Sequence, residues 1–489
     1  MNFNSIEFLI FLPIVVILYF ALPQRYRWAM LLVASLYFYM SWSPDLLLLI
    51  LFTIFVSFFA SHGIARTESK AKKRLLLTLT LVSCLGVLFF FKYYNFLADS
   101  VVSVLQHFAL PIEDMSLQLL LPVGISFYTF QTLSYVIDVY RGSIEPERHF
   151  GYYALFVVFF PQLVAGPIER PDNLMPQLHE HHTPKWSDFS AGCSKMFIGF
   201  FKKVVVADGI AVFVNAVYND PTSTTGFGVV LASMLFAFQI YCDFAGYTDI
   251  AIGAARLLGI HLMQNFNRPY IAQSIKEFWS RWHISLSTWF RDYLYIPLGG
   301  NRCSRPRHLW NLFFVFFVSG LWHGAAWTFV IWGAMHGIYQ VLGILLRKPR
   351  AVLCHMLHIP TDARWVAVVR CLFTYILVCF SWIFFRANSM KDLGVLLKTL
   401  FTDWSLAPSY WIGTLDDMGF TLITGLITVV SLILLQRLDS FGLSDGEDTL
   451  CGATPRSAYR CSCIIWIIAI AWLVVLAGDG TSAFIYFQF

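Results

Sequence analysis

The sequence predicts an all-α integral membrane protein with about 11–13 membrane-spanning helices and additional re-entrant or interfacial helices. Two features of the composition support this fold class: 58% of the 489 residues are hydrophobic, and only 13% are charged. Ordinary soluble domains are about 25% charged, because they need polar surface to cover a core. The third feature is a series of apolar runs long enough to cross a bilayer. These features exclude a soluble enzyme, a disordered chain and a nucleic-acid-binding domain.

The apolar runs give the candidate spans. A spanning helix needs about 20 mostly apolar residues. The runs that approach this length are residues 6–22, 28–42, 44–61, 75–92, 118–138, 150–165, 192–217, 226–244, 247–260, 309–322, 324–346, 364–385, 417–436 and 462–478. Several runs are short or carry charges, so fewer true spans than runs are expected.

Basic residues in the first connecting loops predict the orientation of the chain. Arg25 and Arg27 separate the first two runs, and a basic cluster at 66–74 separates the third from the fourth. Loops rich in Lys and Arg stay on the cytoplasmic side. We therefore expect these loops inside and the N-terminus outside.

The polar segment 263–308 combines basic and aromatic side chains. Its basic excess predicts a cytoplasmic location, and its composition suits helices lying in the membrane interface. The basic residues are Arg268, Lys276, Arg281, Arg291, Arg302, Arg305 and Arg307, and the aromatic residues include Trp279, Trp282, Trp289, Tyr293 and Tyr295. The segment is either a solvated interfacial loop or a binding region for lipid headgroups or a phosphate-bearing donor.

His323 is the first candidate for chemistry, because ionisable residues within apolar helices are expensive and often functional. It follows the apolar run 309–322, and a helix from Arg307 would raise it by about 24 Å into a hydrocarbon core of about 30 Å. A histidine at that depth is expected to be a neutral imidazole that can accept a proton. The alternative is a structural histidine that is hydrogen-bonded between helices.

Two further histidines are candidates. His283 lies in the basic, aromatic segment, where an ordinary interfacial histidine is the simpler interpretation. His336 lies within a Gly-x-x-x-Gly motif at 333–337, which is typical of close helix packing, so we interpret it as structural. If one helix ran from His323 to His336, about 140° of rotation would keep the two histidines out of a common site.

The segment 241–249 carries two carboxylates in an apolar context. Asp243 and Tyr247 are four residues apart and share a helix face, and Asp249 shares a face with Arg256. These residues either form a paired structural network or line a buried polar cavity.

Common catalytic signatures are absent from the sequence. It contains no H-x-x-x-x-D arrangement, no Walker A sequence, no dinucleotide fingerprint and no G-x-S-x-G elbow. The histidine cluster at 179–182 lies in a polar loop without matching ligands. No metal site and no bound cofactor are therefore expected.

Several motifs, in order along nearly the whole chain, resemble those of the membrane-bound O-acyltransferases. Within that family they are most similar to the bacterial branch that contains the membrane subunit for alginate O-acetylation. The motifs are FLIFLP at 8–13, LPVGISFYTF at 121–130, GPIER at 166–170, DFAGYTD at 243–249, EFWSRWH at 277–283, WFRDYLYIPLGGNR at 289–302, GLWHGA at 320–325 and FIYFQF at 484–489.

The resemblance implies a fold and an organisation. It implies one membrane-bound domain over 1–489, with helices packed in a ring around a central tunnel. In that domain, 1–165 form N-terminal helices, 166–345 form a core that includes the cytoplasmic segment 263–308, and 346–489 form C-terminal helices and a tail. The expected location is the bacterial cytoplasmic (inner) membrane, with membrane lipids as surroundings.

The resemblance also implies roles for individual residues. By motif match, His323 and His283 are the expected catalytic residues. The donor is expected to be an acyl thioester, such as acetyl-coenzyme A, that enters from the cytoplasm. The tunnel and donor-binding candidates are Asp243, Tyr247, Asp249, Trp279, Arg281, Trp282, Arg291 and Trp322, with Trp282 or Trp322 as a possible oxyanion donor.

The implied activity moves an acetyl group across the membrane for O-acetylation of an extracytoplasmic polysaccharide, such as alginate or peptidoglycan. The partner that finishes the transfer would be a periplasmic or extracellular SGNH-type acetyltransferase. Tyr486 in the tail is either a transient acyl carrier or an interfacial aromatic anchor. The alternatives are a transporter or flippase without covalent chemistry, and a D-alanyl or lipid acyltransferase of the same family.

Overall fold

The computed structural model describes residues 1–42, 44–108, 115–117, 119, 121–163 and 166–440. All regular elements among these residues are helical. The first nine α-helices are α1 (Ile6–Ala21), α2 (Gln24–Met40), α3 (Leu47–Arg66), α4 (Lys70–His107), α5 (Ile125–Arg141), α6 (Phe150–Val158), α7 (Phe160–Leu163), α8 (Pro171–His179) and α9 (Trp186–Phe200). The remaining α-helices are α10 (Asp208–Asn219), α11 (Gly226–Leu257), α12 (Ile275–Arg281), α13 (Ile284–Phe290), α14 (Arg305–His323), α15 (Trp327–Leu345), α16 (Arg347–Met356), α17 (Arg364–Arg386), α18 (Met390–Thr402), α19 (Pro408–Asp417) and α20 (Leu422–Ser440).

The described residues fall into two compact units. The first contains residues 1–196 and 250–264, and the second contains 197–249 and the chain from 265 onward. The first unit packs α3 against α4 and α5, and α2 against α6. The second unit is built around the α14–α15 hairpin, with α17 packed against α15. The functional division of the sequence at 165 and 345 stays a prediction.

Among the described residues, five helices are long and apolar enough to cross a membrane, as expected of a multi-pass protein. They are α3, α4, α11, α15 and α17. Shorter apolar helices occur at Ile6–Ala21 and Thr424–Leu435. The total of about 11–13 spans stays a prediction, and the candidate span 462–478 lies outside the described residues.

Some sequence-based boundaries were wrong. The runs 226–244 and 247–260 were expected to be separate spans, but α11 is one continuous helix. Each of these runs contains one carboxylate, Asp243 or Asp249, and buried lysines pair with both within the second unit. The run 192–217 was expected to be one apolar helix, but it contains a π-helix, Phe201–Ala207, between α9 and α10.

Close glycine contacts hold α14 and α15 together. A Cβ atom placed on Gly333 of α15 would lie 2.5 Å from the carbonyl oxygen of Phe316 and 2.8 Å from Cα of Gly320, both on α14. Only glycine permits this approach, as the Gly-x-x-x-Gly pattern predicts. The hairpin matters for the site because His323 is the last residue of α14.

We expect Gly333→Ala to destabilise the protein by about 1–3 kcal/mol, because the added methyl group must push the two backbones apart. Gly343→Ala on the same helix is the matched control, since a Cβ there meets nothing within 4 Å. The control should be neutral or slightly stabilising, because alanine favours the helix. Thermal unfolding of the detergent-purified variants measures both effects, and equal midpoints would contradict the packing account.

Candidate active site

The second unit brings His283 and His323 together, although 40 positions separate them in the sequence. Their ring centroids lie 6.4 Å apart. Both side chains are buried, with 0% and 3% of their surface exposed. This separation leaves at least about 4 Å between the nearest ring nitrogens, which exceeds a direct hydrogen bond. The two imidazoles are therefore neighbours in one buried region of the second unit.

Helix α14 carries His323 to its buried position. The helix is continuous from Arg305 to His323, so the rise of about 24 Å from Arg307 that the sequence predicted is present. The helix ends at His323, and the next residue, Gly324, has an extended backbone (φ −159°, ψ 149°) that turns the chain into the hairpin. His323 therefore lies at the end of α14 farthest from the basic segment.

Aromatic rings surround the two histidines on several sides. The ring of Phe244 on α11 lies edge-on to His283 at 4.7 Å between centroids. Trp322 is 5.9 Å from His283 and 4.9 Å from His323. Trp332 of α15 and Phe385 of α17 lie 5.0 and 5.5 Å from His323. These rings exclude bulk water, so hydrogen bonds to a reacting group would be stronger here than in water.

His283 has an unusual backbone conformation. It directly precedes α13 with φ 43° and ψ 56°, which is the left-handed region that non-glycine residues seldom occupy. Burial lowers the pKa of its imidazole to about 3. Because this value lies well below its ordinary range, His283 is neutral at physiological pH.

His336 lies on α15, a separate helix from the one that ends at His323. The chain breaks between His323 and Trp327, so both His323 and His336 contact the indole of Trp332, at 5.0 and 4.9 Å. The rotation of about 140° that a single helix would give does not apply, because α14 and α15 are separate helices. The structural interpretation of His336 remains consistent, since its Nδ1 accepts from Trp279 Nε1 at 3.1 Å and its Nε2 lies 2.9 Å from Ser381 Oγ.

The two carboxylates of α11 form ion pairs with buried lysines. Lys203 Nζ lies 2.6 Å from Asp243 Oδ1 and 2.8 Å from Asp208 Oδ1. Lys202 Nζ lies 2.9 Å from Asp249 Oδ2. Of the two sequence-based alternatives, the paired network is therefore present, although its partners are lysines. The partner of Arg256 is Asp188, at 2.7 Å within the first unit.

Sequence reasoning missed both lysines, although the signal was available. Lys202 and Lys203 lie in an apolar run, where an ionisable residue is a functional candidate by default. They lie on the π-helix, and both are buried, with 3% and 2% of their surface exposed. Tyr247 is also buried, with its ring centroid 5.7 Å from Lys203 Nζ.

The remaining donor-binding candidates divide between core and surface. Trp279 and Trp282 are buried in the aromatic core of the second unit. Arg281 lies 2.9 Å from the Glu277 carboxylate, and Arg291 lies 2.7 Å from the Asp292 carboxylate. Both guanidinium groups therefore have a carboxylate partner, which reduces the net positive charge that they offer to an anion. Tyr486 lies outside the described residues.

The GPIER motif places a buried carboxylate in the first unit. Glu169 is fully buried, and its oxygens accept hydrogen bonds from Met263 N at 2.5 Å and Asn173 Nδ2 at 2.7 Å. Burial raises the pKa of Glu169 to about 7. The motif therefore anchors the chain that follows α11. Within the described part of the chain, no His, Cys, Asp or Glu residues are grouped to hold a metal ion.

In this helical membrane protein, His323 at the end of a long helix lies beside the buried His283, as the motif resemblance implies for a membrane acyltransferase. Comparison with known proteins supports this class: residues 148–385 match the membrane-bound O-acyltransferase family. One relative is 37% identical over the full length of both chains. The chain therefore belongs to the membrane-bound O-acyltransferase family, and it is an acyltransferase.

Three relatives are named for the acyl group or the polymer on which they act. The full-length relative is the "Probable alginate O-acetylase AlgI" of Pseudomonas putida. The peptidoglycan O-acetyltransferase of Helicobacter pylori is 33% identical, covering 94% of this chain and 91% of its own length. The teichoic acid D-alanyltransferase of Bacillus subtilis is 29% identical, covering 54% of this chain and 69% of its own length.

Proposed function

We propose that this protein takes an acetyl group from a cytoplasmic thioester and delivers it across the membrane for O-acetylation of an extracytoplasmic polysaccharide. The observation that supports this most is the pair of buried histidines 6.4 Å apart. The names of the full-length relatives point to alginate or peptidoglycan as the class of polymer. The cytoplasmic (inner) membrane is the corresponding location.

His323 acts as the general base in this proposal. Its imidazole takes the proton of the acceptor hydroxyl while the hydroxyl oxygen attacks the thioester carbonyl carbon. The carbon–sulfur bond then breaks, the new carbon–oxygen ester bond remains, and the thiolate leaves and takes the proton back from the imidazolium. His283, which is neutral and buried beside the reacting groups, orients the acceptor or assists the proton transfer.

Indole N–H groups are available to stabilise the developing oxyanion. The Nε1 of Trp332 is buried without a hydrogen-bond acceptor among the described residues, and its ring centroid lies 5.0 Å from His323. The Nε1 of Trp282 is likewise without an acceptor in the described chain. An unpaired buried donor costs about 1–3 kcal/mol, which a substrate oxygen would offset. We therefore add Trp332 to Trp282 and Trp322 as oxyanion candidates.

The donor would be acetyl-coenzyme A, bound on the side of the basic segment. Arg305 and Arg307 begin α14, whose other end carries His323. Phosphates bind well to arginine, and the helix spans the distance from the membrane interface to the buried pair. The acetyl group would then pass to Tyr486 or directly to the acceptor, and an SGNH-type partner outside the membrane would complete the transfer.

Mass spectrometry of the cell envelope tests this proposal. A strain that lacks the protein is compared with strains that carry the wild-type protein or an inactive His323 variant, and acetyl groups are quantified on exopolysaccharide and peptidoglycan. We expect loss of acetyl groups from one polymer, restored by the wild-type protein alone. Unchanged acetylation of both polymers would contradict the proposal, and loss of D-alanyl esters instead would favour the teichoic acid alternative.

A further inference from the structure

The conformation of His283 depends on a residue from another segment. His283 occupies the position before the first turn of α13, yet its side chain makes no hydrogen bond to that turn. The first N–H groups of a helix have no acceptor within the helix and are normally capped by this residue. In α13 the capping groups come from Asn265, 18 positions earlier in the sequence.

Asn265 contacts the two residues that follow His283. The backbone carbonyl oxygen of Asn265 accepts a hydrogen bond from Ile284 N at 2.9 Å. Its Oδ1 accepts from Ser285 N at 3.2 Å and from Ser285 Oγ at 2.8 Å. On the other side of His283, Asn267 N donates to the carbonyl oxygen of Arg281 at 2.9 Å. The chain around Asn265 therefore binds the backbone on both sides of the histidine.

These contacts account for the left-handed backbone of His283. A non-glycine residue persists at φ 43° only where its surroundings fix it. Asn265 is 1% exposed and belongs to the same unit as both histidines. Since Asn265 caps α13, the imidazole of His283 is not needed for capping and lies against Phe244 and Trp322 instead.

We propose that Asn265 is a positioning residue, which caps α13 from a distant segment and thereby holds His283 at its separation from His323. This inference rests on the proposed function, because it gives Asn265 its role through the part that His283 plays in acyl transfer. Asn265 acts through two acceptor oxygens, the backbone carbonyl oxygen and the side-chain amide oxygen, which bind the first residues of α13.

A double-mutant cycle tests the proposal. The rate of coenzyme A release from acetyl-coenzyme A is measured for purified wild-type, Asn265→Ala, His283→Ala and the double variant. We expect Asn265→Ala to lower kcat by about 10- to 100-fold, since small misplacements in a reacting site have effects of that size. In the His283→Ala background the same substitution should lower kcat by less than about 3-fold, because the residue through which it acts is gone.

Two further variants test whether Asn265→Ala lowers kcat by misplacing His283 or by destabilising the protein in general. Asn265→Asp keeps the acceptor oxygen and should restore most of the rate. Asn311→Ala is the matched control: Asn311 is equally buried, and its Nδ2 donates to the carbonyl oxygens of Leu298 and Gly300, but it lies 12 residues before His323 on α14. Because its Oδ1 accepts from Arg307 Nε at 3.1 Å, this variant is compared at saturating acetyl-coenzyme A, where we expect kcat near that of wild type. If Asn265→Ala fails to accumulate, Asn265→Ser replaces it in the cycle.

The outcomes distinguish the two proposals. An equal loss of rate from Asn265→Ala with and without His283 would overturn the positioning role, because the effect would then be independent of His283. A wild-type rate for Asn265→Ala beside a slow His283→Ala would also overturn it but leave the proposed function intact. A wild-type rate for His283→Ala would contradict the role of His283 and, with it, the role of Asn265.

Discussion

Replacement of His323 by glutamine is expected to lower the rate of acetyl transfer by about 10²- to 10⁴-fold, the range for loss of a positioned general base. Glutamine is close to histidine in size, so the aromatic contacts with Trp332 and Phe385 should survive. We expect the amount of protein in the membrane and its thermal midpoint to change little. The measurement is the initial rate of acetyl transfer, normalised to folded protein.

His336→Gln is the matched control for His323→Gln, because both histidines are buried in the same hairpin and contact the same indole. His336 bonds to Trp279 and Ser381, so its replacement should cost about 1–3 kcal/mol of stability. At a temperature where the protein stays folded, the control should retain most of its rate. A His323→Gln variant with the wild-type rate would show that His323 is not the base.

Replacement of Lys203 by methionine is expected to be among the most destabilising changes in the protein. It would leave the carboxylates of Asp243 and Asp208 without the ammonium group that lies 2.6 and 2.8 Å from them. Asp243 is 2% exposed, so its charge would be left buried without the ammonium group of Lys203. Breaking one partner of a buried pair costs about 3–5 kcal/mol. Thermal unfolding in detergent measures this loss.

Two comparisons test whether the loss of stability comes from the broken ion pair or from the removal of any lysine. Lys398→Met removes an exposed lysine of α18 and should change stability by less than about 0.5 kcal/mol. The double variant Lys203→Met/Asp243→Asn removes the charge that Lys203 had compensated, so it should be more stable than Lys203→Met alone. A double variant less stable than the single one would contradict the account of this pair.

Short sequence motifs select His283 and His323 as candidates, and the structure brings both buried side chains to within 6.4 Å between ring centroids. Helix geometry predicts the rise of about 24 Å from Arg307 to His323, and α14 is continuous over that length. The capping of α13 by Asn265 was not predictable, because it joins two irregular segments through tertiary contacts. Capping normally involves a local side chain, and no local pattern in the sequence marks a distant one.

The limits of the fold prediction have a related physical cause. Hydropathy predicts two spans, 226–244 and 247–260, where the structure has the single helix α11, and each predicted span contains one buried carboxylate, Asp243 or Asp249. Lysines on a different helix offset those charges, and a one-dimensional profile cannot include that pairing. The separation of α14 from α15 agrees with the two candidate spans 309–322 and 324–346.

In the proposed function, a covalent transfer, rather than movement of the intact donor, carries the acetyl group across the membrane. Inverted membrane vesicles from cells that contain the extracytoplasmic partner test it directly, with polysaccharide sealed in the lumen and acetyl-coenzyme A added outside. The donor carries one label in the acetyl group and another in coenzyme A. We predict that the acetyl label becomes esterified to lumenal polysaccharide while the coenzyme A label stays outside. Entry of both labels in a fixed ratio would contradict the acyltransferase mechanism and favour transport of the donor.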